Sequence, residues 1–131
     1  MEKVIHVGTQ DVKMRASALI PRLYRFKFKR DIIRDITQLK KAYEKALNLP
    51  ETATEEEKEE AQLSVLELTM FENVAYIMAK HANPDLPDEP DAWLDQIDGV
   101  FSIYEVLPQI LELWNLSQVQ TSVPKKNKSY S

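Results

Sequence analysis

The chain has 131 residues, 44% hydrophobic and 29% charged, with a net charge of −4. That length suits one domain with a modest core, and the absence of cysteine excludes disulfides and thiolate metal sites. Charge is segregated: residues 1–50 hold twelve Lys/Arg against five Asp/Glu, residues 51–116 hold two against sixteen, and residues 117–131 add three lysines and no acid.

Residues 4–7 and 12–14 are short β-prone runs flanking Gly8-Thr9-Gln10-Asp11, the pattern of a small hairpin. Residues 17–28 read as a helix in which Pro21 suits the first turn, although the alternation over residues 25–30 fits an extended segment equally well. From Asp31, Ile32, Ile36, Leu39, Tyr43 and Ala46 recur at helical spacing opposite Arg34, Gln38, Lys41 and Lys45, until Asn48 and Pro50 end the pattern. Thr54 and Glu57 form a capping box for one long helix over residues 55–80. Its stripe is Leu63, Leu66, Met70, Val74 and Ile77, widened by Leu68, Phe71, Ala75 and Met78. The loop NPDLPDEPD is stiff, Pro90 opens a short helix, DAWLDQI, and Gly99 closes it.

A further capping box, Ser102 and Glu105, opens the helix of FSIYEVLPQILELWNL, which is polar only at Glu105, Gln109, Glu112 and Asn115. A helix with so narrow a polar stripe is a central core element or one that expects a partner. Ile103, Val106, Leu107, Ile110, Leu113 and Trp114 suffice as a core face. Should the helix present an apolar surface outward, Phe101, Tyr104, Leu111 and Trp114 are its candidate anchors. Pro108 removes one backbone donor. Residues 117–131 lack periodicity and read as a disordered basic tail, leaving residues 1–116 as a single domain. The expected fold is mainly α, a small helical domain with a short N-terminal β-hairpin. No apolar run reaches the roughly 20 residues of a membrane span, and no signal peptide opens the chain, so a soluble cytoplasmic protein is expected.

Candidate chemistry is sparse. His6 and His81 stand without a Ser, Cys or carboxylate pattern, and His81 at a helix end suits the negative dipole there in partly cationic form. The run EEEKEE and the loop acids Asp85, Asp88, Glu89 and Asp91 lack the converging spacing of a metal site. With Gly8 and Gly99 the only glycines, a glycine-rich phosphate loop is impossible. The expectation is a protein that is not an enzyme and takes no cofactor or metal. Lys13, Arg15, Arg22, Arg25, Lys27, Lys29 and Arg30 are interleaved with Tyr24, Phe26 and Phe28, and cations beside aromatics suit a nucleic acid. The acidic segment is nevertheless a sufficient internal partner. Arg22, Arg25, Lys27 and Arg30 are therefore assigned to charge-guided contacts, within the chain or between copies, with nucleic-acid binding as the alternative.

The stretch KMRASALIPRLYRFKFKRDII, residues 13–33, resembles the start of tail assembly chaperones from long-tailed phages and prophages of Gram-positive bacteria. In that family a small hairpin precedes an Ala-Ser-Ala stretch, a Pro, a Tyr-Arg pair, a Phe and a basic–Asp couple. Here these are Ala16, Ser17, Ala18, Pro21, Tyr24, Arg25, Phe28, Arg30 and Asp31. FENVAYIMAKHANPDLPDEPDAWLDQ and FSIYEVLPQILELWNL are similar to the second and third blocks, so the resemblance spans about residues 4–116 apart from the acidic insert. Lys29 stands where the family usually has Gly. A left-handed backbone costs Lys more than Gly, so a different turn is expected. Ile20 replaces a frequent Thr cap, which predicts a weaker helix start.

The resemblance implies a non-catalytic role. Such chaperones coat the tape measure protein, a long aggregation-prone helical chain, and bring tail-tube subunits to it in the host cytoplasm. They are absent from the finished particle, and many have a longer frameshift product. Lys125-Lys126-Asn127-Lys128 can be encoded by an adenine-rich run on which ribosomes slip. The implied partners are the tape measure protein, the tail-tube protein and a longer form, with homo-oligomers expected from the charge segregation. A structural tail subunit is a further alternative.

Overall fold

The computed structural model describes residues 1–121, with side chains through Asn115. Strands β1 (Glu2–Val7) and β2 (Gln10–Arg15) pair antiparallel, with Val7 opposite Gln10 and Glu2 opposite Arg15, so the turn is only Gly8-Thr9. Helices α1 (Ile20–Phe28), α2 (Ile32–Leu47), α3 (Glu55–Ala61), α4 (Val65–Ala82), α5 (Pro90–Asp95) and α6 (Ile103–Thr121) follow. The domain is mainly α with an N-terminal hairpin, and no helix among the described residues is long and apolar enough to cross a membrane.

Side chains alternate across a strand, and the hairpin buries Ile5, Val7 and Met14 while Val4 faces out. Its turn is docked on the segment before α6. The Thr9 amide donates to the Asp98 carbonyl at 3.1 Å, and Gln10 Nε2 donates to the Gln96 carbonyl at 2.9 Å. Gly8 and Gly99 both take positive φ, and a Cβ on Gly8 would overlap the Asp98 carbonyl oxygen. Both glycines of the chain are spent on letting these two turns meet.

Helix α4 is the centre. Met70, Phe71 and residues 74–79 are all buried, and the helix packs against β2, α1, α2, α5 and α6. The single helix expected over residues 55–80 is in fact two. Thr54 and Glu57 cap α3 as expected, and a second box caps α4: the Glu67 amide donates to Ser64 Oγ at 3.1 Å, and the Ser64 amide donates to Glu67 Oε1 at 2.9 Å. That box satisfies amides freed by the break. Leu66 and Leu68, expected in the apolar stripe, are consequently exposed.

Helix α6 lies to one side, on β1, α2 and α4. It buries Ile103, Val106, Leu107, Ile110, Leu113 and Trp114 and turns Glu105, Glu112 and Asn115 outward. Its first turn is held through the Ser102 backbone carbonyl, which accepts from Glu105 and Val106 amides at 3.2 and 3.0 Å, in place of the expected side-chain box. The helix continues to Thr121, past the expected boundary at residue 116, and the remaining tail with its lysine run lies outside the described residues.

Between α1 and α2 the chain turns through Lys29, at φ 59 and ψ 36, with its amide donating to the Arg25 carbonyl at 2.9 Å. The different turn expected there does not occur: Lys adopts the left-handed conformation and carries its cost. The geometry is imposed by Asp35, which is 1% exposed. Its carboxylate accepts from Tyr24 Oη at 2.7 Å and from Arg30 Nε and Nη2 at 2.8 and 2.9 Å. One buried acid thus joins α1, the turn and α2. Burial alone would raise its pKa, but the Arg30 and Tyr24 hydrogen bonds and the charges of Arg30 and Arg34 hold it below the usual range. Burial, and then Asp35, push the Tyr24 hydroxyl far upward. The start of α1 has no side-chain cap, but the cap position is Leu19 and the expected cap residue, Ile20, is already helical, whereas Asp31 caps α2 by accepting from the Ile33 amide at 2.9 Å.

Relieving the left-handed lysine with Lys29→Gly should stabilise the domain by about 1 kcal/mol, read as a rise in melting temperature of about 3–5 °C; an unchanged or lower midpoint contradicts the strain. Asp35 has a folded pKa below its unfolded value of about 3.9, so its stabilisation is full above that value and disappears as pH falls through the folded pKa. Asp35→Asn should therefore lose about 2–3 kcal/mol at pH 7, with the deficit shrinking below about pH 4. Urea titrations at pH 7 and pH 3 check this, and a gap of equal size at both would refute it.

Candidate partner groove and the basic face

The last turns of α2 run past the core and leave a groove against α6. Ile36 and Leu39 point inward, and beyond them Lys40, Tyr43, Glu44 and Leu47 form one wall. Pro108, Leu111, Glu112 and Asn115 of α6 form the other, enclosing about 480 Å³ open to solvent. Pro108 lacks the amide that would reach the Tyr104 carbonyl and presents its ring to the groove. Tyr104 is 51% exposed, with its ring 6.1 Å from that of Tyr43. Apolar walls with charged rims suit one face of an amphipathic helix.

The four expected anchors separate. Tyr104 and Leu111 stand at the groove, but Trp114 is only 7% exposed and belongs to the core. The spacing of Leu107, Ile110 and Trp114 explains this, since residues three and four apart share a helix face. Phe101 is half-buried, stacked on Phe71 at 4.8 Å and edge-on to Trp93 at 5.8 Å. Trp114 and Phe101 are therefore packing residues and not an exposed anchor pair. Sequence reading missed Leu47 and Pro108 as groove walls and placed Tyr43 only on the apolar face of α2, because nothing in that stripe marks where the core stops.

The four expected cations separate likewise. Arg30 is committed to Asp35, and Lys27 Nζ donates to the Asp88 carbonyl and the Glu89 carboxylate, the internal acidic partner that was expected. Arg22 lies 4.9 Å above the Phe26 ring, and Arg22 and Arg25 make no ion pair among the described residues.

The fold also brings Ser17 Oγ within 2.9 Å of His81 Nε2, a pair that 64 residues of separation conceal in the sequence. Burial lowers the His81 pKa, with Arg15 and the terminal amino group adding to it. The cationic form expected at this helix end is thus disfavoured. Ser17 Oγ also accepts from the Leu19 amide at 3.2 Å, which ties the hydroxyl into the turn before α1. No cluster of three or more acidic or histidine side chains among the described residues is placed to hold a metal. No protein-family model, curated protein or solved structure matches the chain.

Trp114→Ala should cost about 3–5 kcal/mol of stability, whereas Leu111→Ala at the groove should cost about 1 kcal/mol or less. Denaturant titration of both variants checks the assignment. Equal losses would remove the distinction between core and groove.

Proposed function

We propose that the protein is a non-catalytic tail assembly chaperone of a long-tailed phage or prophage, which holds the tape measure protein and brings tail-tube subunits to it in the host cytoplasm. The observation that carries this reading is the α2–α6 groove, an apolar surface left open beside a core that is already complete. A long amphipathic chain can occupy such a groove with anchors one turn apart, and Tyr43, Leu47, Tyr104 and Leu111 are placed to receive them. The three sequence blocks of the resemblance support it further, because they fall in order within one domain: the end of β2 with α1, then α4 with α5, then α6. Recruitment of tail-tube subunits rests on the resemblance alone. The nucleic-acid alternative would have to work without Lys27 and Arg30, which are already paired.

The test is co-expression with the tape measure chain of the same genome. The wild-type domain should keep that chain soluble and co-purify with it. Leu111→Asp should stay folded, with its unfolding midpoint lowered by a few degrees, yet weaken binding about thirtyfold, the effect of losing one anchor worth about 2 kcal/mol. A wild-type domain that does not bind, or a variant that binds fully, rejects the groove.

A further inference from the structure

Two surfaces outside the groove carry opposite charge without a counter-ion. The first is the outer face of α1, where Arg22, Arg25, Phe26 and Lys29 recur at helical spacing. Arg22, Arg25 and Lys29 make no ion pair among the described residues. Phe26 is 59% exposed under the Arg22 guanidinium. A hollow of about 480 Å³ opens beside Arg25 and Lys29, floored in part by the exposed Ile33. Of its other charged groups, Arg30 is paired with Asp35, and the single carboxylate of Asp31, which caps α2, does not balance both Arg25 and Lys29. The free charge there is positive.

The second surface is the outer edge of α4. Val65, Leu68 and Glu72 are three and four residues apart and share one face. Val65 is 82% exposed and Leu68 is exposed beside it. Glu72 is half-buried without a cation among the described residues, and burial, with the charge of Asp91, raises its pKa. A half-buried carboxylate facing another acid is destabilised until a positive charge reaches it. Exposed apolar side chains gathered on one edge mark a contact surface.

We propose that the α1 face of one copy receives the α4 edge of a second copy, with Phe26 packing on Val65 and Leu68 while Arg25 and Lys29 face Glu72 and Asp91. Each surface supplies what the other lacks, aromatic with cations on one and aliphatic with acids on the other. Both are present on every molecule. A nucleic acid would satisfy the cations and leave Glu72 and Val65 as they are, which is why a second copy is the better occupant. The surfaces are different parts of the chain, so the contact is heterologous and leaves one of each free for further copies. Association of this kind proceeds head to tail beyond a dimer.

Sedimentation velocity of the full chain tests this, alongside two charge-reversed variants, Arg22→Glu with Arg25→Glu, and Glu72→Lys with Asp91→Lys. The wild-type average mass should rise with concentration at low salt and fall in 1 M salt, where the screening length is about 3 Å. Each variant alone should be monomeric, and an equal mixture of the two should associate again, because the reversed faces are complementary once more. Far-ultraviolet spectra establish that the variants are folded. Should a reversal unfold the chain, the neutral Arg25→Gln and Glu72→Gln variants replace it, each weakening association about tenfold. A wild-type chain that stays monomeric at low salt overturns the proposal, as does a mixture that fails to associate. A monomer that binds an oligonucleotide through Arg22 and Arg25 would assign the basic face to nucleic acid instead.

Discussion

Burial of the 74–79 stretch of α4 is the constraint around which the other elements are arranged. Six consecutive buried residues, 74–79, cover every face of a helix and need neighbours on every face, and here these are the hairpin, α1, α2, α5 and α6. Its polar tips then organise the proline-rich loop. Tyr76 Oη donates to the Pro87 carbonyl at 2.6 Å, and Lys80 Nζ donates to the Pro84 and Leu86 carbonyls and to Asp88. A loop that would otherwise leave backbone oxygens without partners is thus held over the helix that precedes it. The Gly8-Thr9 turn docks beyond the end of α5, on Asp98.

Electrostatics plays two different parts. The Tyr24–Asp35–Arg30 group is local and buried, and it fixes the angle between α1 and α2 at the expense of a left-handed lysine. The long-range segregation is scarcely consumed by folding. Among the described residues, Lys3–Glu112 and Lys27–Glu89 are the ion pairs that join the basic and acidic segments, and both involve exposed carboxylates, where a pair is worth about 0–1 kcal/mol. Charge left over on this scale acts between molecules more than within one.

Much of the fold was legible because turn chemistry is local. The hairpin, the Asp31 cap, the Thr54 box and the Pro90 start each follow from a few adjacent residues. The split between α3 and α4 was legible too, in Ser64 and Glu67, but the apolar stripe running across it read as continuous. The reading of α6 as either a central core element or one that expects a partner was left open for a different reason. A narrow polar stripe measures how little of a helix is hydrophilic, whereas centrality depends on which neighbours cover it, and α6 has solvent along Tyr104, Glu105 and Glu112. Asp35 and the Ser17–His81 pair were invisible, since burial of one acid and proximity across 64 residues are tertiary facts. The groove was half legible: Tyr104 and Leu111 were named from α6, but the wall from α2 was not.

The most direct measurement of the central claim is hydroxyl-radical footprinting of the domain with and without the tape measure chain. Tyr43 and Tyr104 border the groove, while Tyr76 is 1% exposed and serves as an internal reference. Binding in the groove predicts that oxidation of Tyr43 and Tyr104 falls together on complex formation while the rates at Val65 and Phe26 are unchanged. Protection confined to Phe26 or Val65, with both tyrosines as reactive as in the free domain, would contradict it.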